Sequence, residues 1–316
     1  MRWKLLACLV LLSGTVSAAP RGRVKSLKVT VLSTMLADFD GIGEWGFAAL
    51  VEADGARILF DTGARPTTVL ENARELKVDL STVTDVILSH NHGDHTGGLV
   101  TLRRELAKQN PRALSRAHVG EGIFWSRPSP EGERNKMIAT RGDYEAAGGT
   151  FVVETKAVEI APGVWLTGRV PRVHPEKNYP KGSRVAAPGG EVDDQIPEDL
   201  SMVIDTDEGL VVLTGCGHAG VVNTVEHARK TVRAAPLHAV LGGFHLFPLD
   251  DAALAWTAEK LAGFGVVWLL GAHCTGIEPV YRIRQLAKLD RAHAVVGSVG
   301  SSFTLGKGID PLNVAR

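Results

Sequence analysis

Three histidines and one aspartate lie within six consecutive residues, and this cluster constrains the fold more than any other feature of the chain. Its members are His90, His92, Asp94 and His95. The apolar run Val83–Leu88 precedes it and predicts a buried strand, and the spacing of Gly97–Gln109 predicts a helix after it. Side chains two residues apart at a strand end point the same way, so the first two histidines converge. The aspartate and the third histidine then enter the same cavity from the start of the helix.

Such a cluster predicts a metal site. Burying four ionisable groups without a cation would leave unsatisfied polar atoms that cost about 1–3 kcal/mol each. Imidazole nitrogens and a carboxylate suit Zn²⁺, with iron or manganese as alternatives.

The length of the chain allows one large α/β domain, and its composition gives no preference for polyanions. The chain has 316 residues, of which 44% are hydrophobic and 22% charged, as in core-forming proteins. Lys plus Arg and Asp plus Glu number 35 each. The net charge of zero disfavours a nucleic-acid partner. Nothing in the sequence specifies an oligomeric state.

Residues 1–19 have the pattern of an export signal. Arg2 and Lys4 give a positive start, Leu5–Leu12 is apolar, and small residues precede Pro20. The apolar run is shorter than the ~20 residues that span a bilayer, so a membrane anchor is the weaker interpretation. We therefore expect a periplasmic or secreted protein, residues 20–316, with no stable membrane insertion after cleavage.

Apolar alternation and helical spacing predict two β-rich halves, each closed by helices, which suggests two sheets between helices. The predicted strands are Lys28–Leu32, Ala48–Glu52, Arg57–Phe60, Val83–Leu88, Ser201–Thr206, Leu210–Thr214, His238–Leu241, Val266–Leu270 and Ala292–Val296. The predicted helices are Pro66–Leu76, Gly97–Gln109, Val221–Val232, Ala252–Leu261 and Glu278–Leu289. Residues 127–197 are rich in Pro, Gly and charge, which predicts an irregular insertion, either a lid or a surface excursion.

The histidine cluster resembles the signature of the metallo-β-lactamase superfamily, and Asp61 in Leu59–Gly63 matches its first motif. Membership implies a four-layer αββα sandwich, with metals at one edge between the sheets and Asp61 supporting them from behind. Further motifs resemble the branch named after 7,8-dihydropterin-6-methyl-4-(β-D-ribofuranosyl)-aminobenzene-5′-phosphate synthase. These motifs are Glu44–Phe47, Thr214–Gly220, Gly242–Leu246 and His273–Gly276.

The resemblance also implies the remaining ligands. Cys216 stands where most relatives have a bridging aspartate, and a thiolate is a sound Zn²⁺ ligand. His218 is then expected to complete the site begun by His90 and His92, with His174 as its competitor. His273 is expected to join Asp94 and His95, which makes two zinc ions. His245 either contacts substrate or supports a ligand, or it caps a strand. Cys216 and Cys274 are also able to form a disulfide in an oxidising compartment.

These ligands predict a metal-dependent hydrolase that uses metal-activated water on a small ester, lactone or phosphoester-like substrate. Asp94 is expected to bind metal and to orient that water. The alternatives are a di-iron redox enzyme, a protein that sequesters a metal or small ligand, and the pterin-related synthase that the branch name implies. Export disfavours the last, because pterin precursors belong in the cytoplasm.

Overall fold

The computed structural model describes residues 22–39 and 41–315, so the predicted export signal, residues 1–19, lies outside the described residues. Two large sheets dominate. The first has eight strands, in the spatial order Gly308–Asp310, Ser302–Thr304, Leu27–Ser33, Ala48–Ala53, Ala56–Phe60, Asp85–Leu88, Arg116–Gly120 and Thr150–Glu154. The second has seven, in the order Val158–Ala161, Val164–Leu166, Met202–Thr206, Gly209–Thr214, Leu237–Gly242, Trp268–Gly271 and Ala294–Val296.

Helices cover the outer face of each sheet. They are Thr68–Glu75, Gly93–Thr96, Leu99–Ala107 and Met137–Ala146 in the first half, and Val221–Thr231, Asp251–Gly263 and Ile277–Leu286 in the second, with a 3₁₀ turn at His273–Thr275. The remaining strands of the described residues form three two-stranded sheets: Leu36–Ala37 with Ser298–Val299, Pro128–Ser129 with Gly132–Glu133, and Arg184–Ala187 with Gly190–Asp193.

The central strands are largely apolar because each of them faces two hydrophobic cores. In Ala48–Ala53, Val51 packs into the core between the sheets and Leu50 into the core under the first-half helices. In Gly209–Thr214, Leu213 faces the core between the sheets and Val212 the core under the second-half helices. Successive strand side chains point to opposite faces. The predicted four-layer αββα arrangement is therefore confirmed.

The topology gathers strand ends at one edge of the sandwich. Ala56–Phe60 and Asp85–Leu88 are parallel neighbours in the first sheet, and Gly209–Thr214, Leu237–Gly242 and Trp268–Gly271 are parallel neighbours in the second. Loops that leave the carboxyl ends of adjacent parallel strands meet, and ligand sites form there. Every ligand predicted from the sequence lies in one of these five loops.

The stretch 127–197 is more regular than the sequence analysis expected. Met137–Ala146 is a helix, and Thr150–Glu154 and Val158–Ala161 are edge strands of the two large sheets. Residues 167–183 contain neither helix nor strand. The expected irregularity is therefore wrong for 137–166, where one helix and three short strands form.

Among residues 22–39 and 41–315, no helix combines the length and the apolar character that a membrane crossing needs.

A buried ion cluster fastens the irregular segments to the sandwich. The guanidinium of Arg127 donates to both carboxylate oxygens of Glu198 at 2.8 Å and to Asp194 at 2.7 Å. All three side chains are at most 6% exposed. Removing the only cation of such a cluster leaves two buried carboxylates without a counter-charge.

We expect Arg127→Met to lower the free energy of unfolding by about 3–5 kcal/mol. Urea denaturation followed by circular dichroism measures the change. The control is Arg141→Met, which breaks the exposed pair with Glu145 and should cost less than about 1 kcal/mol. Equal small changes in the two variants would contradict the fastening role of Arg127.

Candidate metal centre

Three histidine rings from two sheets converge in the first cluster. The ring centroids of His90 and His92 are 4.5 Å apart, and that of His218 lies 4.7 Å from His90 and 5.0 Å from His92. His90 and His218 are buried, whereas His92 is partly exposed. One ligand nitrogen from each ring lies within 4.8 Å of the other two, so the three rings can share an ion.

A second cluster adjoins the first. Nε2 of His273 lies 3.2 Å from Nε2 of His95 and 3.3 Å from Oδ2 of Asp94. His95 Nε2 is 3.9 Å from the same carboxylate oxygen and 3.3 Å from the sulfur of Cys216. Cys216 also groups with His90 and His95, so its sulfur lies between the two clusters.

The chemistry and spacing of these donors fit a transition metal. Ligand atoms about 2.0–2.3 Å from one tetrahedral zinc ion lie roughly 3.3–3.8 Å apart, close to the separations in the second cluster. Nε2 of both His90 and His218 is buried without a hydrogen-bond partner. A bound cation satisfies such atoms, which would otherwise destabilise the fold.

Asp61 orients candidate ligands of both clusters. Its carboxylate accepts the backbone N–H of Ser89 at 2.7 Å and the hydroxyl of Ser89 at 2.8 Å, and it lies 2.7 Å from Nδ1 of His95. Since the serine hydroxyl donates to Asp61, its oxygen accepts from Nδ1 of His90 at 2.9 Å. Both histidines therefore turn Nε2 toward the centre, an arrangement typical of metal-binding histidines.

The protonation of the histidines follows from these surroundings. Burial and the neighbouring histidines hold the pKa of His90 and of His218 well below the usual range, which leaves both rings neutral with a lone pair. Burial also lowers the pKa of His92 to about 4. Burial alone would lower the pKa of His95, but the carboxylates of Asp61 and Asp94 outweigh it and raise that pKa to about 9. A cation bound at His95 Nε2 takes the place of that proton.

Asp94 is the carboxylate that faces the open side of the centre. Its side chain is 22% exposed. Burial acts to raise the pKa of Asp94, but His95 and His273 outweigh it and keep that pKa below its usual range. Asp94 is therefore ionised at neutral pH and can bind a cation or accept a proton.

The structure separates the two competing histidines of the sequence analysis. His218 lies in the first cluster, and its Nδ1 is in hydrogen-bond contact with the carbonyl oxygen of Asn178. His174 instead pairs with Glu226 at 2.6 Å and packs on Trp256. The carbonyl of Asn178 comes from the irregular segment, and no motif in the sequence pointed to it.

The other site residues surround this core. The His245 ring lies 4.7 Å from that of His218, and its Nδ1 is buried without a partner. The sulfur of Cys274 lies 3.1 Å from that of Cys216, and both thiols are free. Burial raises the pKa of the Cys216 thiol, so a thiolate at Cys216 would need a nearby cation to stabilise it. The sequence analysis assigned Cys274 to neither ligand set, although its sulfur groups with Cys216 and His273.

Unusual backbone conformations accompany the site. Asp61, His245 and His273 have positive φ angles of 58°, 50° and 48°, which non-glycine residues seldom adopt. Gly215 lies against the hydrogen-bonded pair of Ser89 and Asp61. An added Cβ there would approach Ser89 Oγ to 2.1 Å and Asp61 Oδ2 to 2.5 Å. Only glycine fits there.

Comparison with known proteins identifies the family. The sequence profile described as the metallo-beta-lactamase superfamily matches residues 46–232, which is more than half of the chain. This chain belongs to the metallo-β-lactamase superfamily. The matched stretch contains Asp61, the whole histidine cluster, Cys216 and His218, while His245 and His273 lie beyond it.

Relatives within the superfamily cover nearly the whole chain. The 7,8-dihydropterin-6-methyl-4-(beta-D-ribofuranosyl)-aminobenzene-5′-phosphate synthase of Methanocaldococcus jannaschii is 29% identical over 86% of this chain and 96% of its own length. The solved structure of a metal-dependent hydrolase of the β-lactamase superfamily has a TM-score of 0.69 and 26% identity, covering 92% of this chain and all of its own. A metallo-β-lactamase fold protein of Bacillus subtilis, at 13% identity and a TM-score of 0.53, shares the fold.

We expect Asp61→Asn to weaken metal binding by about 10–100-fold, because an amide orients His95 and Ser89 poorly. Competition with a chromogenic chelator measures the dissociation constant. The matched control is Asp85→Asn, which also removes a carboxylate beside a buried histidine, His118 at 3.1 Å, but outside the centre. Equal metal affinity in the two variants would show that Asp61 does not support the ligands.

Proposed function

We propose that this member of the superfamily is a metal-dependent hydrolase that cleaves a small ester, lactone or phosphoester-like substrate. The observation that carries the proposal is the pair of adjoining clusters, with a thiol between them and the partly exposed carboxylate of Asp94 in the second. The solved structure of a metal-dependent hydrolase that matches all but a small part of this chain supports it.

Two ions, chiefly zinc, are proposed as the cofactor. The candidate ligands number seven, more than the four that one tetrahedral ion uses. His90, His92 and His218 would hold one ion, and Asp94, His95 and His273 the other, with Cys216 between them. A mixed set of imidazole, carboxylate and thiolate donors favours zinc over magnesium or calcium.

The protein's own residues prepare the reaction. A metal held here would lower the pKa of a coordinated water toward ~7 and polarise a substrate oxygen. The ionised carboxylate of Asp94 is proposed to orient a water and to accept its proton. Asp61 and the carbonyl of Asn178 keep the ligand rings in place, so little reorganisation accompanies the reaction. The partly exposed residues His92, Asp94 and His245 mark the side from which a substrate approaches.

A second candidate is a pterin-related synthase, and the relative of that name supports it through its 29% identity over most of both chains. One experiment compares the two. A single zinc-loaded preparation, with its metal content measured, is assayed on phosphodiesters, lactones, thioesters and amides, and on the synthase's own substrates. Turnover of an ester class alone supports the hydrolase, and turnover of the synthase substrates alone would replace it.

We also propose that the mature enzyme works outside the cytoplasm. The support is the charged, apolar and small-residue pattern of residues 1–19, which lies outside the described residues. N-terminal sequencing of the native protein should start near Ala19 or Pro20. A start at Met1 in a cytosolic fraction would remove this proposal and strengthen the synthase.

We expect His218→Ala to reduce the bound metal from about two equivalents to about one, because it removes a ligand of the first cluster. The control is His174→Ala, which removes a histidine of the same half that pairs with Glu226. Elemental analysis of both purified variants measures the metal. Retention of both ions in the first variant and loss in the second would reverse the ligand assignment.

Iron in place of zinc in native preparations would favour the redox alternative.

Asp94→Asn should lower kcat about 100-fold or more, since an amide cannot accept the proton of water. The kinetics and the metal content are measured on the same sample, so that loss of catalysis is separated from loss of the ion. Glu226→Gln, which neutralises a carboxylate paired with His174, is the control and should retain activity. Normal turnover by the Asp94 variant would exclude the proton-accepting role.

A further inference from the structure

Two exposed aromatic side chains lie at the mouth of the metal centre and have no role in the ligand network. Trp45 is 50% exposed and Phe247 is 49% exposed. Their rings meet edge to face, with centroids 5.6 Å apart and planes 86° apart. We call this pair the aromatic corner. Adjoining apolar side chains that are exposed beside a polar site are a feature of ligand-binding grooves.

The aromatic corner contacts two histidines of the metal centre, His273 and His245. The Trp45 ring lies 5.0 Å from the ring of His273, and the Phe247 ring lies 5.2 Å from that of His245. The two aromatic side chains therefore bridge two histidines of the site. A group that contacts the corner is held within a few ångströms of the reacting atoms.

The backbone holds Trp45 in place. The buried carboxylate of Glu44 accepts the N–H groups of Ala64 and Arg65 at 2.9 and 3.0 Å. On the other side, Phe47 donates its N–H to the carbonyl of Asp94 at 3.1 Å. Trp45 thus lies between two anchored residues, Glu44 and Phe47. The second of these is hydrogen-bonded to the loop that carries Asp94.

Phe247 is held as firmly. The N–H groups of Leu246 and Phe247 both donate to the carbonyl of Cys274, at 3.1 and 3.4 Å. Gly276 lies against Phe247, where an added Cβ would come within 3.0 Å of the phenylalanine Cβ. Because the backbone on which both rings are carried is anchored before binding, little backbone entropy is lost when a ligand arrives.

The geometry points to a planar ring as the group that covers the corner. We propose that the substrate carries an aromatic or heteroaromatic ring next to its scissile bond, and that Trp45 and Phe247 select it. This inference deepens the proposed hydrolase function and rests on it for the position of the scissile bond. Two rings at right angles offer one face for offset stacking and one edge for a T-shaped contact, at centroid distances of about 4.5–7 Å. A flat ring uses both surfaces, whereas a saturated group gains only apolar contact.

The test measures binding separately from catalysis. Zinc-loaded protein is titrated in a calorimeter with 2-naphthoate and with its fully saturated analogue, which share a carboxylate and have similar volumes. The native protein should prefer the aromatic ligand about threefold to tenfold. Trp45→Leu and Phe247→Leu keep an apolar side chain but remove the ring, and each should abolish most of this preference. Kinetics with aryl and cyclohexyl esters should show the same change in kcat/KM.

Phe151→Leu is the control, because it removes a ring from the edge strand Thr150–Glu154 that packs on Phe124 and Tyr144. It should keep the ligand preference. Equal affinity of the native protein for 2-naphthoate and for its saturated analogue would overturn the inference. So would a native dimer that Trp45→Leu dissociates while the preference stays, since a second copy would then cover the corner. A kept preference without hydrolysis of any ester would remove the hydrolase proposal alone and leave the ring subsite standing.

Discussion

The buried carboxylate of Asp61 is the group on which the site depends. It accepts hydrogen bonds from the backbone N–H and the hydroxyl of Ser89 and contacts Nδ1 of His95. The Ser89 hydroxyl in turn holds the ring of His90. One charge thereby orients a ligand of each cluster. The price of this arrangement is a left-handed backbone at Asp61 itself and a neighbouring Gly215 that leaves no room for a side chain. The sandwich supplies the rigid frame that maintains such a conformation.

Much of the fold could be predicted because the apolar spacing of many segments favours the same helix or strand that the packed sandwich requires. The strand Asp85–Leu88 and the helix Leu99–Ala107 follow from apolar spacing, and the ligands between them lie close together in the chain. The edge strand Thr150–Glu154 and the helix Met137–Ala146 were not predicted. Few of their side chains are buried, and turn-forming residues surround them, so their structure depends on the sheet edge and helix layer they pack against.

The site could be predicted only where its residues form a local motif. The carbonyl of Asn178 and the closeness of Cys274 to Cys216 arise from contacts between residues 40 and 58 positions apart, which no local pattern encodes. The preference for His218 over His174 came from a resemblance, and the structure gives the physical reason, since Glu226 pairs with His174. The aromatic corner likewise requires loops from both sheets. Trp45 and Phe247 have no periodic signal that would distinguish them from core residues.

The central claim is that the two clusters hold two metal ions around the thiol of Cys216. Anomalous diffraction from crystals of the zinc-loaded protein, with data on both sides of the zinc absorption edge, tests it most directly. The account predicts two zinc peaks, one among His90, His92 and His218 and one beside Asp94 and its partners, with the Cys216 sulfur between them. A single peak on the two cysteines, or no peak near the histidines, would contradict it.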